Sequence, residues 1–115
     1  MESETFIAAA PRLIAARLSD PSLQSRWAGA LVLQAYEDRG VAGCRSVVSG
    51  ELVGSCEWWI EPVRDGAVVH FWLRAKPGRE QILWRRRERL LLAQYGSRWR
   101  RCAFALKDEL EAGAP

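Results

Sequence analysis

A chain of 115 residues is one domain with one core, and 49% apolar against 27% charged residues excludes wholesale disorder. The net charge of +3 is small, and no apolar run approaches the ~20 residues of a membrane-spanning helix. Three cysteines, an odd number, and an N-terminus opening on two acids argue against a disulfide framework and a secretory leader, and so for a reducing, cytoplasmic setting.

The spacing of Phe6, Ile7, Ala10, Leu13, Ile14 and Leu18 predicts a helix within residues 3–18. Pro11 places its regular part from about Ala10 onward, with a looser segment before it. Asp20-Pro21 restarts a helix as an N-cap followed by proline at the first helical position. Leu23, Trp27, Leu31, Leu33 and Tyr36 carry that helix to a stop at Gly40. Two helices so closely joined also raise a helix-turn-helix reading of 11–38. The second helix carries almost no charge in its first turns and makes a poor recognition helix.

Residues 41–75 read as strand, with glycines at 43, 50 and 54 as punctuation. The strongest element is a hairpin of CEWWIEPV and AVVHFWLRA, with Asp65-Gly66 as a two-residue turn. That turn predicts Glu57 opposite Arg74, Trp59 opposite Trp72 and Glu61 opposite His70 on one face. Trp58–Leu73, Ile60–Phe71 and Pro62–Val69 then form an apolar core face. Pro62 marks a place where its strand lies at an edge or ends. Cys44–Ser49 is a weaker third strand. Residues 79–95 have a helical composition, Gly96 reads as a stop, and Ser97 caps a last helix with Trp99, Ala103, Leu106 and Leu110 in one stripe. The expected fold is α+β: a small two- or three-stranded antiparallel sheet with helices packed against it, in the order ααβ(β)βαα. It is a single domain over 1–115, frayed at 1–9 and 112–115.

Chemistry-bearing residues are sparse. Cys44, Cys56, Cys102 and His70 lack the paired spacing of a zinc site, and Cys56 and His70 fall on opposite hairpin faces, so no metal is expected. His70, the single histidine, has Glu61 beside it, a pairing more typical of a surface ion pair than of a catalytic base. There is no phosphate-binding glycine loop or dinucleotide fingerprint, so neither an enzyme nor a cofactor is expected.

The basic segment is the stronger lead. Residues 76–103 sum to +7, while the remaining stretches are each slightly acidic. Fifteen of the seventeen cations are Arg, the side chain suited to bidentate phosphate contact. Arg79, Trp84, Arg85, Arg87, Arg89, Arg98, Arg100 and Arg101 form the expected nucleic-acid surface; Trp84 and Trp99 lie among the arginines, and aromatic residues beside arginines suit stacking on unpaired bases. Arg86 projects close to Ile82 and Leu90, a packing risk that leaves it out of this surface. The blander reading is a solvated face whose arginine stems cover apolar surface. DNA or RNA is therefore the first expected partner. The alternative is a protein-interaction or inhibitory module on the hairpin face, with Trp59 and Trp72 as anchors inside a rim of Glu57, Glu61, His70 and Arg74. Self-association as a homodimer stays open, and no membrane partner is expected.

Overall fold

A computed structural model describes residues 1–78 and 84–113. The elements run β1 (Glu2–Ile7), α1 (Pro11–Leu18), α2 (Pro21–Ala28), β2 (Val32–Asp38), a 3-10 turn (Gly40–Ala42), β3 (Gly43–Ser49), β4 (Leu52–Val63), β5 (Gly66–Pro77) and α3 (Trp84–Ala112). The strands form one five-stranded antiparallel sheet in the order β1-β5-β4-β3-β2. The class is α+β. The small sheet and the order ααβ(β)βαα are not what the chain adopts.

Three departures account for the difference. Residues 2–7, expected to be frayed, form an edge strand. Thr5 and Ile7 point inward and Glu2, Glu4 and Phe6 outward, so the period is two, and pairing with β5 decides the conformation. Pro11 does open α1, as its fixed φ favours. The second departure is at α2. Asp20 caps it through Ser22 N–H at 2.9 Å, as expected, but the helix stops at Gly29 (φ 58), eleven residues before Gly40. Leu33 then packs inward from a strand, and Tyr36 sits at an irregularity in the β2–β3 register.

The third departure is Gly96, which is a close-approach position inside one continuous α3. A Cβ there would stand 3.0 Å from the Met1 side chain. The stripe of Trp99, Ala103 and Leu106 is buried as expected, with Leu110 packed at its end.

The hairpin keeps its predicted faces and changes its register. The turn is Arg64-Asp65, with Asp65 at φ 71, so Val63 pairs with Gly66. Each residue of β5 thereby slides by two, and Glu57 faces Trp72, Trp59 faces His70 and Glu61 faces Val68. A slip of two leaves side chains on their own face. The β3 ladder reaches β4 only as far as Trp59, so Pro62 does lie where one side of its strand is unpaired.

All three helices cover one face of the sheet. The core joins Ile14 and Leu18, Leu23 and Trp27, the inward residues of β4 and β5, and the stripe of α3. At its centre Phe71 stacks on Trp99 at 3.9 Å, and Trp27 meets both rings edge-on. The β1 edge is tied down by α3, since Lys107 Nζ donates to Phe6 O and Ala8 N–H donates to Glu111, each at 2.9 Å. The opposite edge, β2, exposes Val32 and Tyr36. Among the described residues, no helix is long and apolar enough to cross a membrane.

Candidate functional site

Two surfaces collect the charged and aromatic residues singled out by sequence: the sheet face turned away from the helices, and the solvent side of α3.

The outer sheet face is built from two cross-strand rows. One places Trp59, His70 and Glu4 side by side, and the next places Glu37, Arg45, Glu57, Trp72 and Glu2. Glu57 is only 5% exposed, although it lies on the solvent-facing side of the sheet. Its neighbours make this tolerable. Arg45 Nε donates to its Oε2 at 3.1 Å, Arg39 reaches the same oxygen, and Trp72 Nε1 donates to Oε1 at 2.8 Å. Arg39 can approach because Gly43 lies beneath it, where a Cβ would stand 2.8 Å from the guanidinium. Burial alone would raise the Glu57 pKa, but the donors from Arg39, Trp72 and Arg45 outweigh it and hold the carboxyl below its ordinary value.

His70 stacks on Trp59 at 4.5 Å and bonds Glu61 at 2.9 Å. Arg74 lies over the Trp72 ring at 4.7 Å, with Glu2 at 3.8 Å. Glu57, Trp59, Glu61, His70, Trp72 and Arg74 are therefore brought together on a face that no helix covers. Both indoles are half-buried by these neighbours rather than standing free. Sequence reasoning missed Arg39 and Arg45. The β3 alternation carried a signal for Arg45, whereas Arg39 comes from the loop after β2.

The second surface is α3. Arg85, Arg87, Arg89, Arg100 and Arg101 are exposed and Arg98 is half-buried. Arg79 and the Trp84 side chain lie outside the described residues. One expectation needs correction. Arg86 is exposed, as is Leu90 at 57% beside it, so Arg86 is not packed there. Trp99, at 2% exposure, belongs to the buried stripe as expected, which closes it to base stacking. The arginines flank the helix on two sides. Arg87 lies 4.0 Å from Glu51, and Arg98 lies over the Tyr95 ring at 4.9 Å on the side of α2. Arg100 lies towards Met1 and β1. Among the described residues, Arg86, Arg89, Arg100 and Arg101 form no ion pair.

The thiols offer little chemistry. Burial pushes the Cys56 thiol up to about 12 and raises Cys44 and Cys102 as well, so all three stay protonated near neutrality. Among the described residues, no group of His, Cys, Asp and Glu is arranged to hold a metal ion.

No protein-family profile and no curated protein matches the chain. Solved structures resemble it in fold, among them the following two. The Aha1 dimer from Colwellia psychrerythraea aligns with a TM-score of 0.66 at 14% identity, over 100% of this chain and 98% of that one. TTHA0849 from Thermus thermophilus aligns with a TM-score of 0.65 at 14% identity, over 100% and 99%. At that identity the likeness is one of fold.

Proposed function

We propose that the protein binds nucleic acid through the phosphate backbone, using the arginine-rich solvent side of α3. The observation that carries this reading is how poorly the arginines suit the helix itself. Over Trp84–Arg101 there are seven arginines and one glutamate, and the first turn of α3 contains no acid. Arg85, Arg86 and Arg87 sit at the positive end of the helix dipole, where each cation opposes helix formation by about 0.3–1 kcal/mol. Arg85/Arg89 and Arg98/Arg101 add like-charge neighbours at i,i+4 and i,i+3. A cationic surface maintained against helix stability is accounted for by an anionic partner that neutralises it. Because Trp99 is in the core, contact is with phosphates and not through stacking on that ring.

The test is the triple variant Arg85→Gln/Arg87→Gln/Arg89→Gln, measured by fluorescence anisotropy against a labelled duplex and a labelled single strand at low salt. The reading expects affinity to drop at least about tenfold with the melting temperature little changed. Equal binding by variant and wild type contradicts it.

A second reading, a protein partner on the outer sheet face, draws support from a different observation. Trp59 and Trp72 lie on a face without a helix, whose far end exposes Val32, Val47 and Val53. With an Aha1 dimer among the structural neighbours, the partner proposed there is a second copy of this chain. Sedimentation of the wild type beside Val32→Lys/Val47→Lys tests it. A dimer lost in the variant supports this reading, and a monomer in both rejects it.

A further inference from the structure

The cleft between α2 and α3 contains more than the helix face alone. It measures about 410 Å³ and is lined by Arg26, Arg98, Arg101, Cys102 and Ala105. Three of the five lining residues are cationic and none is acidic. The floor is neutral, because burial keeps Cys102 protonated and its thiol donates to Leu23 O. The nearest carboxylates are hydrogen-bonded by another residue, and Glu109 acts on Arg26 only through its charge, with no ion-pair contact between them. Arg17 holds Asp20 at 3.0 Å and Glu109 at 2.9 Å.

Arg98 is fixed in place. Its guanidinium lies over the Tyr95 ring, and its Nη1 comes so near Gly29 that a Cβ there would stand 2.8 Å away. Tyr95 is itself fixed by its hydroxyl donating to Glu51. Arg26 approaches from the last turn of α2 and Arg101 from the next turn of α3. Guanidiniums gathered in a cleft with no acid in its lining repel one another, and a preset one loses less freedom on binding. A phosphate offers enough acceptor oxygens to take several of these forks at once, which a single carboxylate does not.

We infer that this cleft seats one phosphate group, held by Arg26, Arg98 and Arg101. The inference rests on the polyanion reading of α3 and sharpens it, adding α2 to the interface and fixing which flank of α3 carries the anchoring contact. The phosphate belongs either to a nucleic-acid backbone or to a free phosphate compound, and the experiment separates the two.

Arg26 and Arg101 are exposed, so Arg26→Gln and Arg101→Gln keep the core intact, and Arg100→Gln on the opposite flank serves as comparison. Each variant and the wild type are titrated with a labelled duplex and, separately, with pyrophosphate, following the arginine side-chain NMR resonances. The expected result is a loss of duplex affinity of about tenfold for Arg26→Gln and Arg101→Gln, clearly more than for Arg100→Gln. Pyrophosphate should shift the Arg98 resonance and compete with the duplex. Wild-type protein that ignores duplex but binds pyrophosphate at Arg98 overturns the nucleic-acid reading and upholds the seat for a free phosphate compound. Duplex affinity in Arg26→Gln and Arg101→Gln no lower than in Arg100→Gln overturns the seat and leaves the nucleic-acid reading standing. Absence of both ligands from the wild type overturns both.

Discussion

The outer sheet face and the solvent side of α3 are both rich in arginine, and they use it in opposite ways. On the sheet, Arg39 and Arg45 converge on the buried Glu57, Arg74 lies over Trp72 beside Glu2, and the donors of one residue meet the acceptors of another. On α3, Arg86, Arg89, Arg100 and Arg101 face water with no ion pair among the described residues. Charge count alone therefore does not identify an interaction surface. The informative quantity is the charge left over after the fold has satisfied its own, and that remainder is concentrated on α3 and in the cleft beside α2.

Four perturbations probe the comparison. The layer between the two surfaces should respond most. Leu106→Ala removes a fully packed side chain from the stripe of α3 and should cost about 2–5 kcal/mol in chemical denaturation. An unchanged denaturation midpoint would mean that α3 is not docked as described, and the division of its faces would fall with it.

Glu57→Gln comes next. The loss of charge-assisted hydrogen bonds from two arginines and an indole should lower stability by about 1.5–3 kcal/mol. Stability equal to wild type would show that the sheet network is ornamental and that the contrast with α3 is one of degree.

The acid limb sharpens the same point. Glu57 has a folded-state pKa below its ordinary 4.5, so its contribution is fully present above that value and is lost as pH falls through the lower folded-state value. The gap in melting temperature between wild type and Glu57→Gln should be constant from neutral pH to about 5 and close below 4.5. A gap that grows on acidification contradicts the assignment.

The smallest effect belongs to the exposed arginines. Arg89→Gln and Arg100→Gln should each change stability by no more than about 0.5 kcal/mol, because their side chains stand at the surface of the helix beyond its first turn. A drop comparable to that of Glu57→Gln would assign them a structural role.

How much of this was legible depended on which signals tolerate error. The two faces of the β4–β5 hairpin were legible because period-two alternation survives a slip of two residues, while the register was not: Asp65 is left-handed as a two-residue turn there requires, but its turn partner is Arg64, and Gly66 pairs with Val63 instead of turning. The buried stripe of α3 was legible from its spacing. The break at Gly96 was misread because a glycine that stops a helix and one that admits the Met1 side chain look alike in one dimension. β1 and β2 were missed for a tertiary reason: Phe6-Ile7 and Leu31–Tyr36 fit helical and strand periods alike, and only pairing with β5 and β3 decides. Glu57 was found as part of a charged rim, but its burial required Arg39 and Arg45 to arrive from elsewhere. Arg26 joins Arg98 and Arg101 only because α2 packs beside α3, which no local pattern encodes.

The most direct test of the central claim is the salt dependence of duplex binding by the wild-type protein. If unpaired arginines on α3 neutralise backbone phosphates, log K should fall linearly with log salt, at about 0.9 units per phosphate contacted, with a slope equivalent to several contacts. Binding that is indifferent to salt, or no binding to duplex or single strand at low salt, contradicts the claim.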